Sequence, residues 1–305
     1  MSRPAVWLGP GRHPLLVEAI ERGGGVVAAA PNEASAIVWH AGAPEAIASV
    51  LHDGVTWVQL DAAGVDRWLE LGLVDRVRRW TAVHEVYAPD AAEHVAALVL
   101  AAARRLPQAA RAGEWRPHEV GGDRLAGRTV GIAGAGAIGR ETIARLRPFG
   151  VRVLALTSSG RRVPGADRSL AADALHDLLA ESDYVVLALP LTRETRGVVA
   201  ARELELIGPE GWLVNVGRGA LVDTDALVRA LEAGRVGGAC LDVTDPEPLP
   251  PDHPLWGFDN VLVTPHVANP PGTTEGPFAR LVEENVRRFR EGRELLGEID
   301  PARGY

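Results

Sequence analysis

A chain of 305 residues, with 47% hydrophobic and 24% charged side chains, is long enough for two globular domains and has the composition of neither a disordered nor a fibrous protein. Its net charge of −8 argues against nucleic acid or an acidic membrane as a partner, and no apolar run approaches the roughly 18 residues of a membrane span. All 32 basic residues are arginine, which excludes a Schiff-base or P-loop lysine, and the single Cys240 excludes an internal disulfide and a cysteine-based metal cluster.

The N-terminal MSRPAVWLGPGRHPLL lacks a secretory apolar core, so a cytoplasmic chain is expected. Short strands and helices then alternate. Residues 5–8, 26–30, 36–39, 56–60 and 81–84 have strand character, and residues 13–22, 44–52 and 65–74 have helical character. This alternation predicts a doubly wound parallel sheet. Between the fourth strand and its helix lies Asp61-Ala62-Ala63-Gly64-Val65-Asp66, a turn of small residues. Ligands gather at such carboxyl ends, and a glycine there bares N–H groups to an anion, although a plain turn accounts for the pattern equally well.

Pro89-Asp90-Ala-Ala-Glu93 opens a long apolar helix that runs to Leu106. Asp90 and Glu93 fit a capping box, which gives Glu93 a structural role. Apolar side chains on more than one side (Val95, Leu98, Val99, Leu100, Ala103) suit a connector buried between domains or subunits. A loop over residues 111–128 follows.

The next stretch organises the chain. Residues 129–133 form a short apolar strand, then come Gly134-Ala-Gly136-Ala137-Ile138-Gly139 and a helical pattern with Gly139, Ile143, Leu146 and Phe149 on one face. Strand, glycine turn and helix together predict a dinucleotide site. Gly134 permits the turn, Gly136 lets a pyrophosphate approach, and Gly139 lets helix and strand pack closely. The helix start at Ala137 and Ile138 offers free N–H groups to the phosphates.

A second strand, residues 151–156, ends in Thr157-Ser158-Ser159-Gly160-Arg161-Arg162. Folds that use NAD place a carboxylate here to hold the adenosine ribose hydroxyls. A carboxylate would repel a 2′-phosphate, whereas Ser and Arg can bond it, so Thr157 and the residues after it favour NADP(H), with NAD(H) possible and a solvated arginine pair as the bland alternative. Further strands at residues 183–192, 212–216, 238–243 and 261–263 lead to Pro190, to Arg218, to Asp242 with Glu247 in the loop beyond, and to His266. Between the second and third of these, residues 222–225 cap a helix that stops near Gly234. An arginine, an acid and a histidine thus follow separate strands of one cofactor sheet.

In LAGRTVGIAGAGAIG, SDYVVLALPLTRETRGVV, VNVGRGALVD, GACLDVTDPEP and NVLVTPH the chain resembles the D-isomer-specific 2-hydroxyacid dehydrogenases, in that family's order and spacing. VEENVRRFREG and the terminal Arg303-Gly304-Tyr305 most resemble its glyoxylate/hydroxypyruvate reductase branch. The resemblance implies catalytic roles for Arg218, Glu247 and His266, a nicotinamide contact at Asp242, and cofactor contacts at Leu189, Pro190, Thr195, Val216 and Gly217. It places the substrate-carboxylate loop on Ala62, Ala63, Gly64 and Val65. Two positions depart from the family: Thr157 replaces an acid, and Asn269-Pro270-Pro271 replaces small residues.

The chemistry suits these residue types. An unperturbed imidazole titrates near about 6.5 and can give a proton to a ketone oxygen near neutral pH. Paired with it, Glu247 would favour the protonated ring and orient it, while Arg218 would bridge the substrate carboxylate and carbonyl oxygen. Two α/β domains are expected, a flavodoxin-like substrate domain of residues 1–87 and 270–305 around a Rossmann cofactor domain of residues 88–269, with the ketone held in the cleft. The resemblance further implies a homodimer with the helix after Asp90 in its interface. Other activities of the family stay open. Formate dehydrogenases carry glutamine where Glu247 stands, and many phosphoglycerate dehydrogenases add a regulatory domain. Phosphite oxidation and a dinucleotide-sensing corepressor role are further readings.

Overall fold

The computed structural model describes residues 3–83, 85–115, 121–270 and 272–304. His84, part of the loop at residues 116–120, Pro271 and Tyr305 therefore lie outside the described residues. The chain divides into two compact units, Met1–Tyr87 with Pro270–Tyr305, and Ala88–Asn269.

In the first unit, strands β1 (Ala5–Pro10), β2 (Val26–Val27), β3 (Ala36–His40), β4 (Trp57–Leu60) and β5 (Arg79–Thr81) make one parallel sheet in the order β2-β1-β3-β4-β5. This is the flavodoxin-like order. Helix α1 (Pro14–Arg22) starts on a proline, is capped by the His13 side chain, and buries Leu16, Ala19 and Ile20. Three expected elements are shorter or shifted. The helix expected at residues 44–52 is a 3-10 turn, Pro44–Ser49, because Ile47 is its only buried anchor. Helix α2 (Asp66–Glu70) is closed early by Gly72 at φ +65. The fifth strand lies two residues earlier than expected, where Trp80 pairs with Val58 and is buried.

The second unit opens with α3 (Ala88–Ala103) and α4 (Leu106–Arg111). Because α3 starts at Ala88, Asp90 lies inside its first turn rather than at the expected cap position. There follow β6 (Thr129–Ala133), α5 (Ala137–Leu146), β7 (Arg152–Leu156), β8 (Arg168–Leu170), α6 (Leu175–Glu181), β9 (Tyr184–Leu187), α7 (Ala201–Ile207), β10 (Trp212–Asn215), α8 (Thr224–Glu232), β11 (Gly238–Leu241) and β12 (Val261–Val263). The sheet runs β12-β11-β10-β9-β6-β7-β8, all parallel, and its order reverses between β6 and β9. Such a switch point is where open α/β sheets bind ligands. Strand alternation assigns the two faces: Val185 and Leu187 join one core, Tyr184 and Val186 the other. Phe149, expected on the buried face of α5, is 42% exposed, because the helix ends at Leu146 and Pro148 turns the chain outward.

Helix α9 (Glu275–Glu291) returns the chain to the first unit and buries Phe278, Ala279, Leu281, Val282, Asn285 and Val286. Asn285 donates to Gln59 Oε1 at 2.8 Å and accepts from Leu296 N at 2.8 Å. Thr81 donates to the same Gln59 oxygen at 2.9 Å and accepts from the Trp57 indole at 2.9 Å. A satisfied buried polar network thus joins the two sequence-distant parts of this unit.

Candidate active site

The dinucleotide turn has the shape its glycines anticipate. Gly134 sits at φ +99, and a Cβ there would meet the Ala188 carbonyl at 2.5 Å. A Cβ on Gly139 would lie 2.6 Å from the Gly134 carbonyl oxygen, whereas the space over Gly136 is open. Helix α5 begins beside that space at Ala137 and Ile138, with no side-chain cap on its first N–H groups. Open space over unclaimed donors is what a pyrophosphate requires.

At the end of β7, Thr157 is held by its N–H to Leu170 O at 3.0 Å, and its hydroxyl is buried without a hydrogen-bond partner. A buried hydroxyl seldom stays unpartnered, so it fits a ribose or phosphate oxygen there. Ser158, Ser159, Arg161 and Arg162 are exposed, and neither guanidinium is engaged with the described residues. The Pro190 turn is locked internally: Thr195 Oγ1 donates to Pro190 O at 2.7 Å, and Thr192 N donates to Thr195 Oγ1 at 2.8 Å. Thr195 therefore shapes this turn, whose Leu189 and Pro190 follow β9 at the switch point.

Arg218, Asp242 and His266 follow β10, β11 and β12, three neighbouring strands. The buried Asn215 builds the arginine turn, accepting from Gly217 N at 3.1 Å and donating to Arg218 O at 2.9 Å. This packs Val216 and Gly217 into the sheet end and leaves the Arg218 side chain half-buried. Across the loop from β11, Glu247 Oε1 lies 2.7 Å from His266 Nδ1, with both side chains open to solvent. The imidazole thus presents Nε2 outward. His266 itself stands at φ +53, a left-handed backbone rare for a non-glycine residue.

Asp242 is only 2% exposed. Its Oδ1 accepts from Thr264 Oγ1 at 2.6 Å and Val267 N at 3.0 Å, and its Oδ2 accepts from Ala268 N at 3.1 Å. His94 Nε2 of α3 approaches Oδ1 at 3.2 Å. Burial alone would raise this carboxyl's pKa, but the bonds from His94, Thr264 and Val267 N–H outweigh it and bring it down to about 2. Asp242, expected to contact the nicotinamide, in this geometry also anchors the histidine loop. Among residues that the sequence reading missed are Asn215, His94 and Thr264. An unexplained polar side chain in an apolar helix or at a strand end is the one signal each offered. Cys240 is fully buried, which raises its thiol pKa to about 12 and leaves it inert.

In the first unit, the turn at Ala62, Ala63 and Gly64 follows β4, with Val83 N donating to Ala62 O at 2.9 Å. Asp61 beside it accepts from Ala41 N at 2.8 Å and lies 3.2 Å from His40 Nδ1, and Tyr87 donates to its carbonyl at 2.6 Å. Among the described residues no His, Cys, Asp and Glu group is arranged to hold a metal ion. No helix there is long and apolar enough to cross a membrane.

A Rossmann sheet with a glycine turn at its switch point, and with arginine and a paired histidine along its carboxyl edge, defines a nicotinamide-dependent oxidoreductase. Residues 96–268 match the model of the D-isomer specific 2-hydroxyacid dehydrogenase NAD binding domain. An uncharacterised protein of Corynebacterium melassecola is 40% identical over 279 residues, which cover 90% of this chain and 91% of that one. A glyoxylate reductase of Aeropyrum pernix is 41% identical over 212 residues, 66% of this chain but only 63% of that enzyme. Two crystal structures share the fold over nearly the whole chain. One is a D-isomer specific 2-hydroxyacid dehydrogenase from Xanthobacter autotrophicus in complex with NADPH, with TM-score 0.87, 30% identity and 100% of both chains covered. The other is an NADPH-dependent glyoxylate/hydroxypyruvate reductase from Sinorhizobium meliloti with NADP and sulfate, with TM-score 0.82, 28% identity, and 99% of this chain and 100% of that one covered. The chain belongs to the D-isomer specific 2-hydroxyacid dehydrogenase family.

Proposed function

We propose that this protein reduces a small 2-keto acid of the glyoxylate or hydroxypyruvate type to the D-2-hydroxy acid, with NADPH as the preferred cofactor. The reading rests above all on the 2.7 Å pairing of His266 Nδ1 with Glu247 at the carboxyl edge of the dinucleotide sheet. Glu247 accepts the Nδ1 hydrogen and turns the ring, so that Nε2 hands its proton to the substrate carbonyl oxygen. Arg218 binds the substrate carboxylate and stabilises charge growing on the carbonyl oxygen. Bound NADPH supplies the hydride. The Ala62-Ala63-Gly64 turn is assigned the substrate carboxylate through its backbone N–H groups.

Thr157, Ser158, Ser159, Arg161 and Arg162 are assigned the 2′-phosphate. The buried, unpartnered Thr157 hydroxyl and the two unengaged arginines support this, and relatives of similar fold bind NADPH or NADP. The dinucleotide phosphates fall to Gly134, Gly136, Ala137 and Ile138. A homodimer is part of the same reading, supported by Leu106, Trp115 and Phe149, which stay exposed in the unit of Ala88–Asn269, whereas Val95, Leu98, Val99 and Ala103 of α3 are buried in that unit's own core.

A panel of 2-keto acids assayed with NADPH and NADH tests the reading. Turnover of glyoxylate or hydroxypyruvate with a lower KM for NADPH is expected, and His266→Ala should lower kcat by roughly two orders of magnitude or more. Wild-type protein without turnover on the panel would overturn the assignment.

A further inference from the structure

We infer that His94, on helix α3, is a positioning residue for the reaction, acting on His266 through Asp242 and Thr264. The inference rests on the catalytic reading above, but its geometry is independent of substrate. Asp242 makes three hydrogen bonds to the histidine loop, beside the one that His266 N gives Thr264 O at 3.0 Å. Its carbonyl accepts from His266 N at 2.8 Å, and its carboxylate accepts from the N–H groups of Val267 and Ala268 at 3.0 and 3.1 Å. These bonds hold His266 in its left-handed conformation at φ +53, and the two from Val267 and Ala268 can do so only while the carboxylate keeps its orientation.

That orientation is set from α3. Thr264 Oγ1 lies 2.6 Å from Asp242 Oδ1, and a carboxylate can only accept, so the hydroxyl spends its one hydrogen there. His94 Nε2 sits 3.0 Å from the same hydroxyl oxygen and 3.2 Å from Oδ1. Neither atom has a hydrogen left to give it. His94 Nε2 must therefore carry a hydrogen and donate, which fixes the ring's tautomer and makes it the last donor that steers Asp242. The Arg218 turn is built by the Asn215 side chain, and Asp242 meets Asn215 through the strand ladder, its N–H donating to Asn215 O at 2.9 Å, a bond that does not involve the carboxylate.

Replacing His94 by leucine removes the donor with little change in bulk, whereas glutamine can place an amide N–H near the position of Nε2. In His94→Leu, kcat should fall by about ten- to a hundredfold through a misplaced His266, with KM for the keto acid within roughly twofold of wild type. His94→Gln should recover most of the loss. Histidine-labelled protein followed by ¹⁵N NMR should show His94 protonated on Nε2, and His266 ring resonances that move in the leucine variant and return in the glutamine variant. Should His94→Leu not fold, Thr264→Val deletes the bridging hydroxyl at constant shape and should give the same losses. A wild type without keto-acid turnover would sink the catalytic reading while the NMR arm still decides this one. Unmoved His266 resonances, an Nε2 without hydrogen, or a leucine variant with wild-type kcat would overturn the role of His94.

Discussion

A histidine at φ +53 holds a backbone that costs on the order of 1–3 kcal/mol for a residue with a Cβ, so something must compensate at that point. Asp242 does, and its ionisation ties the loop to pH. A carboxyl lowered to about 2 in the folded chain, against about 3.9 when unfolded, favours the native state once ionised. That contribution is full above roughly pH 4 and is lost as pH falls towards 2, about 2–3 kcal/mol in all. Asp242→Asn should therefore lower the unfolding free energy at pH 7 and flatten its decline between about pH 4 and 2, as urea titrations at several pH values would show. Thr157 and its neighbours carry the other residue-scale prediction. Charge-assisted bonds from arginine contribute about 1.5–3 kcal/mol each before solvent trims them, so Arg161→Ala combined with Arg162→Ala should raise KM for NADPH about tenfold or more. KM for NADH should hardly move, since that cofactor has no phosphate there. An unchanged NADPH KM would return both arginines to the role of solvated surface.

At the scale of elements, the β6 turn and α5 are one device. The Gly139 position brings the helix so near the strand that any Cβ would lie 2.6 Å from a backbone oxygen, and that oxygen cannot move without opening the Gly134 turn. Gly139→Val should lower stability by about 1–3 kcal/mol and weaken dinucleotide binding together. Thermal melts with and without cofactor would check this, and a variant that binds NADPH normally would separate turn shape from helix packing. This device was legible because glycine spacing is a local pattern. Strand β8 and helices α6, α7 and α9 were not anticipated. The strand is only Arg168–Leu170, and α6 and α7 are seven residues each, too short to show a clear period. Phe149 and Asp90 were misplaced for a related reason. A helix end is decided by where the packing partner stops, and the periodic pattern carries on past it.

Across the whole molecule, the unit of Met1–Tyr87 and Pro270–Tyr305 needs a link between distant parts of the chain. Asn285 supplies a buried polar one by reaching Gln59, 226 residues away. Asn285→Leu would leave the Leu296 N–H without its acceptor and Gln59 short of a donor, so a loss of about 2–4 kcal/mol is expected in denaturant unfolding, against little change for a variant at an exposed α9 position such as Arg280→Ala. Amino-acid order alone determined the two-sheet α/β class, the glycine turn, and the order in which arginine, acid and histidine follow the strands, since each rests on local pattern and spacing. Only the tertiary structure decided what those residues lean on. The pairing of Glu247 with His266 spans 19 residues, and the contact of His94 with Thr264 spans 170. A buried polar group declares its partner only when folding brings the two together, because neither side chain alone shows which other group will satisfy it.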